Sequence, residues 1–378
     1  MKVAIAFSLE TESELAGRTA ALSAVETSGE PRLMIVFITD EYNPEEVLRG
    51  IKSVVNETKI VGFCCAGIIT NAGIHKQGVG ICALSGNFSA TTAIQKELSA
   101  NPFATGERIA ETLLASGIKR GTAIVLPDGF QANLSEMLRG LYNKLGPSFN
   151  YIGGGAGDNL KFFKTWQFTE VEVASDAVAV ALIEGIDFSI GVGHGWYPVG
   201  SPVVVTRAKG KIVYEINAIP AYQAYSKLIG CGSKEEFKVL GMMHPLGFPD
   251  IAGRYIIRDP LGVNDDDSIT FVTEIPSHSV GSIMDCEIDE LIDTAVLAAK
   301  GAVSQLPDHE FSLVFDCISR VLLFGNRFPE EIAALQTVID SKAPFLGALT
   351  FGEIGSYGSV PLLHNKTTVV SVGRKTLA

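Results

Sequence analysis

Leu33-Met34-Ile35-Val36-Phe37-Ile38, closed by Thr39-Asp40 and followed by Asn43-Pro44-Glu45-Glu46, is the stretch on which the fold turns. An unbroken apolar run between polar residues reads as a strand buried on both faces. Asn43 as an N-cap, proline at the first helical position and two carboxylates against the helix dipole then open a helix. Val47, Leu48, Ile51, Val54 and Val55 continue it at helical spacing. Lys59-Ile60-Val61-Gly62 gives the next strand, Phe63 to Gly67 a turn, and Gly78 to Leu84 a further strand. The predicted unit is β-α-β-β.

The same order returns near the C-terminus. Phe311 to Phe315 is a strand, Pro329-Glu330-Glu331-Ile332 starts a helix to about Ile339, and Pro344 to Gly347 is a strand. Ala348 to Glu353 and a strand from Thr367 to Val372 follow. Pro44, Glu45, Glu46, Gly62, Gly67 and Ile69 recur at one constant offset as Pro329, Glu330, Glu331, Gly347, Gly352 and Ile354. A looser middle copy has a strand at Thr122 to Leu126, a helix near Leu134 to Leu145, the glycine-rich run Gly153 to Asp158, and a strand around Ala177 to Ile183. A further helix precedes each copy, at about 11–27, 106–117 and 287–305. The segment from about 201 to 281 breaks the pattern, and the change near 215–225 marks a boundary. These units predict a mixed α/β (α+β) fold, with repeated β-α-β-β units forming mixed sheets covered by helices. Two closely packed domains, 1–218 and 219–378, are expected.

Composition narrows the class. A formal charge of −12 leaves no basic stripe to neutralise phosphates, so a nucleic-acid partner is excluded. Apolar residues at 47% against 19% charged exclude intrinsic disorder. Met1-Lys2-Val3-Ala4-Ile5 runs straight into a strand-like segment without a secretory signal. Ala177 to Gly193 contains Glu184, Gly185 and Asp187, so it reads as two strands and a turn instead of a membrane span. A cytoplasmic location without membrane contact is expected. The cysteines Cys64, Cys65, Cys82, Cys231, Cys286 and Cys317 form no C-x-x-C and read as buried free thiols, with no metal site.

Gly153-Gly154-Gly155-Ala156-Gly157-Asp158 invites a dinucleotide assignment, but Asp158 stands where a third glycine belongs and no helix start follows. A turn that lets backbones approach closely is the better reading. Thr350-Phe351-Gly352-Glu353 places a hydroxyl and a carboxylate just after an apolar strand, where α/β proteins put ligands. His364-Asn365 precedes the closing strand of the same unit, and Cys317 and Arg320 follow the preceding one. Arg320 suits a bidentate carboxylate clamp, with an internal Arg320–Glu353 ion pair as the alternative. No Ser–His–Asp order or nucleophile elbow is visible.

At these residues the chain resembles the FIST sensory family, a paired N-terminal and C-terminal domain of signal-transduction proteins. Glu215-Ile216-Asn217, His244-Pro245-Leu246-Gly247, Arg258, Cys317 with Arg320, Thr350 to Ile354 and His364-Asn365 come in the family's order. Gly62 to Gly67, Gly153 to Asp158 and His194-Gly195-Trp196 look like its first-half signatures. Cys65 and Ile68 stand where the family's first half carries a hydroxyl and an acid, which puts a polar site there in doubt.

The resemblance implies a non-catalytic, stand-alone sensor of a small molecule such as an amino acid or organic acid. It would signal to a separate protein such as a histidine kinase or a cyclic-dinucleotide enzyme. The ligand-binding residues it implies are Arg258, Cys317, Arg320, Thr350, Gly352, Glu353, His364 and Asn365. Arg320 would hold an anionic group and Glu353 would accept from an amine or hydroxyl. No cofactor is required. Two alternatives are a haem-binding nitric-oxide sensor with His364, His194 or His244 as axial ligand, and an enzyme using Cys65 or Cys317 as nucleophile.

Overall fold

The structure is a computed structural model that describes residues 1–339 and 343–376. The first unit runs β1 (Lys2–Ser8), α1 (Ser13–Ser28), β2 (Leu33–Thr39), α2 (Pro44–Lys52), β3 (Lys59–Cys65), a ribbon β4 (Ile68–Thr70) and β5 (Gly73–His75), and β6 (Val79–Ser85). Asn43 Oδ1 accepts from the amides of Glu45 and Glu46 at 3.0 and 3.2 Å, the cap that the sequence predicts. The second unit repeats this order with β7 (Ser89–Lys96), α3 (Pro102–Leu114), β8 (Gly121–Pro127), α4 (Leu134–Leu145) and β9 (Phe149–Gly154). Its ribbon is β10 (Gln167–Thr169) with β11 (Val173–Ala174), and β12 (Ala177–Glu184) closes it.

The third unit opens with β13 (Ile186–Gly193) and then takes a long insertion. The insertion contains β14 (Tyr197–Lys209), β15 (Ile212–Ile216), β16 (Ile219–Pro220), α5 (Ala221–Ile229), α6 (Lys234–Met243), β17 (Leu246–Pro249), β18 (Tyr255–Arg258), β19 (Pro260–Val263), β20 (Ile269–Phe271) and β21 (Ser279–Asp285). The unit resumes with α7 (Ile288–Gln305), β22 (Phe311–Cys317), α8 (Ile318–Phe324), α9 (Phe328–Val338), β23 (Phe345–Thr350), the ribbon β24 (Glu353–Gly355) and β25 (Leu362–His364), and β26 (Thr368–Lys375). The segment that breaks the sequence pattern is this insertion, and its strands form an eight-stranded sheet of their own.

Three six-stranded sheets carry the rest, in the orders β1-β6-β2-β3-β10-β11, β7-β12-β8-β9-β24-β25 and β13-β26-β22-β23-β4-β5. In each, one parallel pair (β2/β3, β8/β9, β22/β23) is flanked by antiparallel neighbours, which is the mixed sheet expected. Each sheet is finished by a ribbon from another unit: β10-β11 joins the first, β24-β25 the second and β4-β5 the third. The exchange is cyclic. β13 also pairs with β26 over its whole length, so strands from before residue 218 and from 219 onward share two of the six-stranded sheets as well as the eight-stranded one. The two segments expected as domains are interleaved through these strands.

Helices cover one face of each sheet, and the other faces meet in a common core. Phe37, Phe63 and Ile81 from the first sheet pack there with Ile124 and Ile152 from the second and Phe315 and Leu346 from the third. The ring of Phe37 lies edge-on to Phe63 and to Phe315, with centroids 5.2 and 5.8 Å apart. Burial on both faces explains why the strands read as unbroken apolar runs.

Candidate functional site

β22 and β23 end side by side, with Cys317 opposite Thr350 in the register. Over these ends lies a cleft of about 210 Å³. Its walls come from three places: the loop after β9 (Leu160, Phe162), the insertion (Met242, Leu261, Val272) and the third unit (Ile318, Leu322, Phe351). Cys317, Ser319, Gly352, Asn365 and Asp259 supply its polar lining, with Lys238 exposed at the rim. Gly352 has φ of +93°, a conformation that favours glycine, and lets the chain turn out of β23. Hollows of about 520 Å³ beside Arg32 and Glu57 and about 680 Å³ beside Arg120 and Glu184 are larger. They are open grooves that share no residue with this lining.

Beneath the cleft sits a buried polar cluster. Thr350 Oγ1 donates to Glu353 Oε1 at 3.0 Å, and the Thr367 amide donates to Glu353 Oε2 at 3.3 Å. Burial, with Asp316 nearby, pushes the Glu353 carboxyl well above its usual range, and the Cys317 thiol beside it favours the ionised form only partly. Burial and then the Glu353 charge push that thiol up in turn, and Cys317 Sγ lies 3.0 Å from Ser319 Oγ. Asp259 is 7% exposed and ion-paired to Lys366 Nζ at 3.0 Å. Lys366 is fully buried, with its ammonium 5.3 Å from the centre of the Trp196 ring.

Of the residues expected from sequence, Cys317, Gly352 and Asn365 line the cleft, while Thr350 and Glu353 lie directly under it. Arg320 does not meet Glu353. It is fully buried, donates through Nε and Nη2 to Glu331 Oε1, and lies 3.3 Å from Asp316 Oδ1. Its remaining donors go to the carbonyls of His194 at 3.1 Å and Leu291 at 3.0 Å. The reason is local: Ile318–Phe324 is a helix, so Arg320 turns back over Asp316 and under α9 instead of projecting from the strand end. Arg258 donates through Nε to the carbonyl of Glu274 and through Nη1 to those of Ile257 and Leu363. An anion therefore meets no free donor fork on Arg320, and Arg258 does not line the cleft.

The histidines do not frame a haem site, because the cleft is lined by none of the three. His364 is fully buried with its ring 5.4 Å from Tyr357, and neither ring nitrogen makes a well-aligned hydrogen bond. His194 Nδ1 accepts from the Trp196 amide at 2.9 Å, and His244 lies 3.7 Å from Asp285 on the insertion. The residues present do not fit the group.

The cysteine alternative also meets an unfavourable setting. Cys65 is fully buried, its thiol directed at the carbonyls of Ile38 and Gly67, and burial pushes its pKa up to about 12. With Ile68 buried beside it, the first unit has no polar counterpart of Thr350 and Glu353. N-ethylmaleimide at pH 7.5 is therefore expected to modify the half-exposed Cys231 and Cys286 first. Cys317 should react at least tenfold more slowly, and Cys64, Cys65 and Cys82 only on unfolding, read by peptide mass spectrometry. Fast, selective modification of Cys317 would restore the nucleophile alternative.

Asp259 and Lys366 were missed. The signal available was Arg258-Asp259-Pro260 beside a family residue and Lys366 directly after His364-Asn365, but no spacing rule pairs residues so distant in the chain.

The model of the FIST N domain matches residues 32–219, and that of the FIST C domain matches residues 221–356. The chain belongs to the FIST family. FIST domains occur in signal-transduction proteins, which gives this FIST protein a sensory context. An uncharacterized protein of Methanocaldococcus jannaschii is 26% identical over 79% of the chain, which spans 62% of that relative's length. An uncharacterized protein of Mycobacterium tuberculosis is 20% identical over 98% of the chain and 99% of its own length. A crystal structure of cyanuric acid hydrolase from A. caulinodans covers the whole of both chains at 8% identity and a TM-score of 0.43. So loose a likeness bears on neither the site nor the function. Among the described residues, no helix of this FIST protein is long and apolar enough to cross a membrane.

Proposed function

We propose that this FIST protein is a non-catalytic sensor that binds a small molecule in the cleft over β22 and β23 and signals to a separate protein. The observation that carries the reading is the convergence of three parts of the chain on one hollow: the loop after β9, the insertion and the third unit. A ligand that touches all three changes how they sit against one another, and such differential contact is what a signal requires. The hollow also lies at the carboxyl ends of a parallel strand pair, where open α/β sheets place ligands. Burial holds the lining thiol of Cys317 protonated, which supports a binding role over a nucleophilic one.

Leu261 sits at the rim, 45% exposed, so a bulky residue there blocks the cleft without disturbing the core. Leu261→Trp is expected to leave the melting temperature of the free protein within ~2 °C of the original. It should abolish any ligand-dependent rise found in a thermal-shift panel, a rise that reaches ~2.7 kcal/mol at a hundredfold excess over Kd. A ligand that stabilises both proteins equally binds elsewhere.

A further inference from the structure

The ligand's chemistry follows from which lining groups are already spoken for. Asn365 Oδ1 accepts from Thr273 Oγ1 at 2.7 Å, and its Nδ2 donates to the His364 carbonyl at 3.1 Å. Cys317 and Ser319 face each other. Asp259 differs. Its Oδ2 is paired with Lys366, while Oδ1 is the one buried side-chain atom of the cleft lining without a partner among the described residues. A buried acceptor with spare capacity favours whatever brings it a donor.

The surrounding charge sets the sign. The Asp259–Lys366 pair is neutral as it stands, so a neutral donor needs no further counter-charge. A carboxylate would enter beside Asp259, with Arg320 turned to other partners and Arg258 outside the lining. Among the described residues the one lining cation is Lys238, at the water-exposed rim where attraction is screened. Most of the remaining lining is aliphatic or aromatic, with Leu160, Phe162 and Phe351 forming one wall.

We infer that the cleft takes a compact, mainly apolar molecule carrying one neutral hydrogen-bond donor, an N–H or O–H that docks on Asp259 Oδ1, and that it turns carboxylates away. The inference rests on the cleft being the ligand site and specifies which ligands enter it. It replaces the amino-acid or organic-acid expectation, which needed a free arginine.

The test uses the full chain and matched probes that fit a cavity of this size: indole against 1-methylindole, phenol against anisole, and benzoate, each titrated by calorimetry and thermal shift. Indole and phenol are expected to bind at least about tenfold more tightly than their methylated partners, because a site built around a hydrogen bond penalises the analogue that lacks it. Benzoate should give no saturable signal. Asp259→Asn should bring the ratio within each pair close to one; if that variant fails to fold, the probe pairs on the unaltered protein decide alone. Equal binding within each pair overturns the donor assignment and leaves the cleft standing, provided that Leu261→Trp abolishes it. Benzoate binding most tightly overturns the charge argument. No binding by any probe removes the cleft as a ligand site and this inference with it.

Discussion

Arg320→Met is expected to destabilise the protein by ~3–5 kcal/mol, the effect of leaving buried charges without their partner. That is a large share of the ~5–15 kcal/mol that holds a typical domain folded. The side chain is fully buried and binds Glu331, Asp316 and the carbonyls of His194 and Leu291, so its removal strands two carboxyls and two acceptors at once. These partners lie on α9, β22, the junction into the insertion and α7. The loss should therefore appear as one cooperative shift of the urea midpoint and not as fraying of one helix. The pH dependence has a definite sign. Burial pushes Asp316 and Glu331 above their usual values, so the folded state holds protons that the unfolded chain releases. Stability from these groups is fully present below the unfolded values, near 4, and falls as pH rises. Without Arg320 the strain of ionising them grows, and the variant's deficit should be larger at pH 8 than at pH 5. Arg320→Met combined with Glu331→Leu should recover more than half of the loss, since apolar groups of similar volume replace a buried pair at little cost. A single variant within 1 kcal/mol of the original would show that the arginine is dispensable and reopen it as a ligand group.

What the sequence reveals and what it hides divides along the length scale of the interactions. Leu33 to Ile38 and the Asn43-Pro44-Glu45-Glu46 start are local signals, and they give β2 and α2 as observed. The mixed sheets follow from units of that kind, so the fold class is legible too. The ribbon exchange is not: β4 pairs with β23 across most of the chain, and nothing in Ile68-Ile69-Thr70 names that partner. Cys317 to Phe324 shows a second limit. Ile318-Ser319-Arg320-Val321-Leu322-Leu323-Phe324 is a short apolar run with no side-chain cap, which periodicity alone cannot assign to helix or strand. Placing Arg320 at the end of the strand, with no helix assigned to this run, is what sent it toward Glu353. The same limit governs the site. The Thr350–Glu353 pair sits three residues apart and could be found, whereas Asp259 and Lys366 meet only because the insertion folds back on the third unit.

Acid sensitivity gives the second large effect. Burial, with Arg258 and His194 nearby, lowers the His364 pKa to about 3, so the ring is neutral in the folded protein at any ordinary pH. The unfolded chain takes up the proton near 6.5, so the stability contribution is whole above that value and is lost progressively as pH falls toward 3. Each unit of the gap is worth about 1.36 kcal/mol, which makes the full loss roughly 3–5 kcal/mol. His194, lowered to about 4 mainly by burial, adds a smaller loss in the same direction because it is partly reached by water. The raised carboxyls of Asp316, Glu353 and Asp259 act oppositely over the same range, so the original protein alone cannot isolate the histidine. The comparison with His364→Leu can. At pH 7.5 the two should agree within ~1 kcal/mol, since neither ring nitrogen has a well-aligned hydrogen bond to lose. Below pH 6.5 the variant should become progressively the more stable, by about 1.4 kcal/mol for each further pH unit down to the low end of the window. Urea midpoints at pH 7.5, 6.5, 5.5 and 4.5 measure the divergence. Parallel profiles would mean that the imidazole is protonated or solvated in the folded state, and that water reaches the ring beside Tyr357.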